Sequence, residues 1–86
     1  MDWIDEYAEE LGRRADVAIG EEERRALLKL AREVAHRTER VFAPLSTYLA
    51  GRYAADQVRT GTPAEEAVQE ALRVAERLLP APAQDT

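Results

Sequence analysis

Residues 62–79 read TPAEEAVQEALRVAERLL, and this stretch decides the fold class. Thr62 before Pro63, with Glu65 next but one, has the form of a helix start: a hydroxyl N-cap, proline at the first helical position and a capping-box glutamate. From there Ala64, Ala67, Val68, Ala71, Leu72, Ala75, Leu78 and Leu79 recur at three- and four-residue intervals, keeping one apolar face until Pro80 stops the helix. A half-buried strand would alternate with a period of two, and no run of four or more residues in the chain does so.

Working outward, Gly61 can close a preceding helix that runs over about 44–59. That helix has two faces, one bulky (Leu45, Tyr48, Leu49, Tyr53) and one small (Thr47, Ala50, Gly51, Ala54, Val58), which places it at the centre of a bundle. Arg52 and Asp56, spaced i, i+4, are expected to pair at the core rim. Pro44 disfavours helix at Ala43 and so ends a long helix over about 21–42. The run Glu21-Glu22-Glu23 opens that helix with negative charge at the positive end of its dipole. Leu27, Leu28, Ala31, Val34, Ala35, Thr38 and Phe42 form its expected buried face, and Glu21/Arg25 and Glu33/Arg37 are spaced to pair. A short first helix, about 2–11, is capped by Asp2, carries Trp3, Ile4, Tyr7, Ala8 and Leu11 on one stripe, and ends at Gly12. The expected architecture is all-α: a compact bundle of four helices (about 2–11, 21–42, 44–59 and 62–79) forming a single domain over 1–79, with a disordered tail over 80–86.

Composition narrows the function classes. The chain has 86 residues, 45% hydrophobic and 34% charged, which is too apolar for disorder and too charged for a membrane span. A net charge of −5 lacks the basic excess of a nucleic-acid binder. The absence of cysteine removes thiol chemistry, and a single histidine argues against a zinc or iron site. The acidic start, MDWIDE, is the reverse of a secretory leader, so a cytoplasmic protein is expected. Sixteen alanines, and eleven arginines against one lysine, fit a GC-rich genome or a heat-adapted host.

No catalytic set emerges from the residues. Ser46 and Thr47 follow Pro44 at a helix start, where hydroxyls serve the backbone, and the carboxylates lie on solvated faces. Isolated glycines support no phosphate loop, and there is no metal-ligand spacing, so no cofactor, no metal and no enzymatic activity are expected. One constellation stands out: Arg25, Lys29, Arg32, His36 and Arg40 make a basic stripe on the polar side of the long helix, while residues 1–12 carry five acids and no base. The stripe suits an anionic partner or a phosphate-bearing ligand, and Trp3 with Tyr7 offers an apolar contact.

The run 35–51, AHRTERVFAPLSTYLAG, resembles an uncharacterised family of small helical domains from actinobacteria and other GC-rich bacteria. Its pattern pairs Ala-His and an Arg with Ala-Pro-Leu-Thr-Thr-Phe-Leu and a Gly; here Ser46 and Tyr48 replace the commoner Thr and Phe. On this sequence the motif picks out His36, Arg40, Pro44, Leu45, Ser46, Thr47 and Gly51. Some members are fused to, or encoded near, a guanylyltransferase of molybdenum-cofactor biosynthesis, and the resemblance implies an accessory role beside such an enzyme. His36 and Arg40 are read as holding the corner between the second and third helices through backbone carbonyls, with a phosphate contact as the alternative. The sequence therefore points to a non-enzymatic helical interaction module whose partner is a protein, either such a guanylyltransferase or a second copy, and neither nucleic acid nor membrane. A nucleotide or pterin binder and a self-associating protein are the alternatives.

Overall fold

The structure, a computed structural model, describes residues 2–82. Its four helices are α1 (Trp3–Gly12), α2 (Glu21–Arg37), α3 (Phe42–Arg59) and α4 (Ala64–Leu78), with no strand among the described residues. The all-α, four-helix expectation holds. The disorder expected for 83–86 lies outside the described residues.

Local chemistry sets the helix ends. The Asp2 carboxylate accepts the Asp5 N–H at 3.1 Å and caps α1. That bond holds the Asp2 carboxyl below its ordinary range, and the Arg24 guanidinium acts in the same direction. Gly12 is the last residue of α1, and Arg13 beyond it stays right-handed (φ −73°), so the left-handed turn expected at Gly12 is not made. Before α2, the Gly20 N–H donates to the Glu23 carboxylate at 3.1 Å, the return half of a capping box that the acidic run had concealed.

Helix α2 ends at Arg37, short of the expected 42, because Thr38 leaves helical geometry at φ −135° and ψ −126°. Its hydroxyl and its N–H both donate to the Val34 carbonyl, at 2.7 and 2.9 Å. A turn over 39–41 then delivers Phe42 as the first residue of α3, and Pro44 falls in the opening turn, where its missing N–H forfeits no helical bond. Gly61 closes α3 with φ +104°, as expected of a residue free to be left-handed. The capping box expected at Thr62 does not form: Pro63 occupies the cap position without a side-chain bond, and the Thr62 N–H donates to the Gln57 carbonyl at 3.0 Å.

Helices α2, α3 and α4 pack pairwise, and α1 packs against none of them. The buried core is Ala26, Leu30 and Val34 of α2, Ala50 and Ala54 of α3, and Ala67, Val68 and Leu72 of α4. Half of these residues are alanine, so the helices meet largely through backbone and methyl groups, and the large side chains are left outside. On α2 the expected face is turned. Leu28 lies about 200° round the helix from Ala26, and it is 63% exposed. Thr38 and Phe42, also expected inside, are exposed as well. On α3 the small face is the packed one, although Gly51 is exposed and a Cβ there would meet nothing.

The first helix buries no residue. It is tethered by Arg24, whose guanidinium lies 3.2 Å from Asp5 and 3.6 Å from Asp2, across a cleft of about 390 Å³ bordered by Ile4, Ala8 and Ile19. At the other end of α2, Arg37 donates to the Pro80 carbonyl at 2.7 Å and lies 3.5 Å from Glu33, so Pro80 is fixed to the bundle rather than opening a free tail.

Candidate interaction surface

Four of the five residues of the basic stripe, Arg25, Lys29, Arg32 and His36, lie exposed along α2, and the fifth does not. Arg25 is bound to Glu22 at 2.7 Å instead of the expected Glu21, and Lys29 reaches Glu76 of α4 at 3.8 Å. Arg32 and His36 are exposed on α2, while Arg40 lies beyond the helix in the 39–41 turn. Exposed ion pairs of this kind contribute little to stability. No hydrogen bond from His36 or Arg40 holds the corner between α2 and α3 among the described residues; Arg37 instead joins the C-terminal ends of α2 and α4. The signal for Arg37 was its spacing from Glu33, but its bond to a carbonyl 43 residues away is tertiary and has no local trace.

The hydroxyls serve the backbone, as expected, though as donors to carbonyls: Ser46 to Ala43 at 2.7 Å and Thr47 to Pro44 at 3.0 Å. Arg52 and Asp56 do not pair. Arg52 lies over the Tyr48 ring, 5.8 Å from its centre, and Asp56 binds Arg59 one turn on. Among the described residues no polar side chain is buried, and no three histidine or carboxylate side chains gather as a metal site would need.

Besides a cleft of about 400 Å³ that Val17, Ile19, Leu27, Val58 and Val68 line, two apolar surfaces stand out among the described residues. The first is on α1, where the Trp3 and Tyr7 rings stack with centres 5.1 Å apart and planes 18° from parallel. Trp3 is 69% exposed, and Leu11 continues the same line one turn further on. The second is a groove of about 360 Å³ between α3 and α4. Its floor is Leu30, Ala50, Ala71 and Ala75, and its walls are Leu49 and Tyr53 on one side and Val74 and Leu78 on the other. Leu49 is 65% exposed and Leu78 is 80% exposed. The Tyr53 hydroxyl donates to Glu70 at 3.0 Å across the helix pair, which raises the phenol above its ordinary value because the bond and the nearby charge favour the protonated form.

The groove exists because α3 turns its small residues to the core and its bulky ones outward. Residues 42–53 on its α3 side carry Arg52 and no acid, and Arg73 and Arg77 flank its α4 side. The family model that covers residues 1–86 is the Domain of unknown function DUF6457. The chain belongs to that family. No curated protein and no solved structure matches this DUF6457 chain. No helix of the described residues is long and apolar enough to cross a membrane.

Proposed function

We propose that the protein is a non-enzymatic helical interaction module that receives an amphipathic, acidic helix of a protein partner in the α3–α4 groove. The observation that carries this reading is a wall of exposed Leu49, Tyr53, Val74 and Leu78 over a floor of three alanines and Leu30. Helices recognise such grooves through side chains spaced i, i+4 and i+7, and Arg52 and Arg77 at its flanks favour acids on the incoming helix. Eight buried residues, four of them alanine, make a small core. Covering the groove adds apolar burial at roughly 25 cal/mol per Å² to a domain of modest stability.

The resemblance of residues 35–51 to domains found with a molybdenum-cofactor guanylyltransferase makes that enzyme the first partner to assay. Immobilised chain is expected to bind it, and Leu49→Glu, a change at an exposed position, is expected to weaken binding by at least about 30-fold. Loss on Arg32→Glu with Leu49→Glu unaffected would move the contact to α2 and sink the groove reading.

A further inference from the structure

Resting on the interaction-module reading, we infer that the groove's occupant is α1 of a second copy of this chain, so that two chains exchange apolar faces in a two-fold dimer. Shape, charge and placement support this pairing independently.

Trp3, Tyr7 and Leu11 stand at i, i+4 and i+8 along one line of α1, and Leu45, Leu49 and Tyr53 stand at the same spacing along α3. Both rows span about 12 Å at the α-helical rise; Leu49 and Tyr53 line the groove, and Leu45 extends their row by one turn beyond its lining. All six side chains are exposed large hydrophobics.

The charges are complementary. Asp2, Asp5, Glu6, Glu9 and Glu10 give α1 and its cap five acids; Arg24 holds Asp2 and Asp5, Arg13 and Arg14 hold Glu9 and Glu10, and Glu6 is left without a cation partner among the described residues. The groove is flanked by Arg52, Arg73 and Arg77; Arg73 pairs with Glu70 at 4.0 Å and Glu76 with Lys29 at 3.8 Å, which leaves Arg52 and Arg77 as its cations without a carboxylate partner among the described residues. The charges left over, Glu6 on α1 and Arg52 and Arg77 beside the groove, are of opposite sign, as a reciprocal interface requires.

Placement makes the contact intermolecular. Arg24 holds α1 at the N-terminal end of α2, whereas the groove opens toward the C-terminal end, where Arg37 holds Pro80. These two arginines are roughly 20 Å apart along the helix. The chain's own α1 reaches its own groove only by leaving Arg24, while an antiparallel second copy sets each α1 beside the other's groove.

The test is sedimentation velocity over a wide concentration range with the full chain, Trp3→Ser, Leu49→Glu and an equimolar mixture of the two variants. The wild type is expected to pass from monomer to dimer as concentration rises. Each variant raises the dissociation constant by about 1,000-fold, because each lost anchor counts twice in a two-fold dimer. The mixture recovers part of the association, since Leu49→Glu still offers an arm and Trp3→Ser still offers a groove. Circular dichroism keeps the helical signal of both variants as the check on folding. A wild type that stays monomeric overturns the inference. So does a dimer that survives Trp3→Ser, which is groove on groove, or one that survives Leu49→Glu, which is arm on arm. A monomeric wild type whose binding to a guanylyltransferase is lost with Leu49→Glu overturns the dimer alone; a dimer as described without guanylyltransferase binding removes only that partner.

Discussion

Leu30→Ala is expected to lower the free energy of unfolding by about 2–5 kcal/mol, whereas Leu28→Ala, two residues away, changes it by less than about 0.5 kcal/mol. Both are leucines of α2 and both look apolar to any helical wheel. Leu30 is 3% exposed between α3 and α4, so truncation removes its transfer energy and leaves a cavity beneath Ala50 and Ala71. Leu28 points away from both neighbours. In a chain this short the loss at Leu30 lowers Tm by at least about 10 °C. Urea titrations of the two variants check the contrast. Equal losses would mean that α2 is rotated from the orientation described.

Ala67→Leu is the second large effect, at about 1–3 kcal/mol of destabilisation. Ala67 is 1% exposed and belongs to the core that α2, α3 and α4 share. Three added carbons fit only if the helices separate, because well-packed interiors hold few voids. Ala55→Leu, at an exposed position on α3 beside buried Ala54, is expected to change stability by less than about 0.5 kcal/mol. Thermal melts followed by circular dichroism separate the two. A stable Ala67→Leu would show that the helices meet more loosely than their alanines imply.

Most of the fold was legible in the sequence. The α4 stripe placed Ala67, Val68 and Leu72 inside, and Gly61 and Asp2 act as their residue types suggest. Where periodicity misled, a stronger local or tertiary contact decided. Thr38 ends α2 early by turning hydroxyl and amide onto one carbonyl, a conformation that spacing does not encode. Leu28 and the bulky face of α3 read as core, since a helical wheel ranks residues by size. The core was instead chosen by how closely the helices could approach through Ala26, Ala50, Ala54 and Ala67.

The candidate surface was only half legible. Trp3 and Tyr7 were visible as an apolar pair on an acidic helix, and they remain exposed. The groove was hidden because it joins residues of α3 and α4 across the bundle, each of which looked like part of a packed face. The basic stripe was drawn on a helix assumed to reach Arg40. With α2 ending at Arg37, its last member belongs to the turn, and Arg25 and Lys29 already hold carboxylates.

The central claim is that the apolar side of α1 lies outside the core and is open to a partner. Trp3 is the sole tryptophan of the chain, so its fluorescence reads that side directly. The measurement is acrylamide quenching of Trp3 in solutions dilute enough to sediment as monomer. The account predicts red-shifted emission and free quenching there, with a blue shift and protection once a partner or a second copy is bound. Blue-shifted, protected emission in the dilute monomer would place Trp3 inside its own bundle and contradict the account.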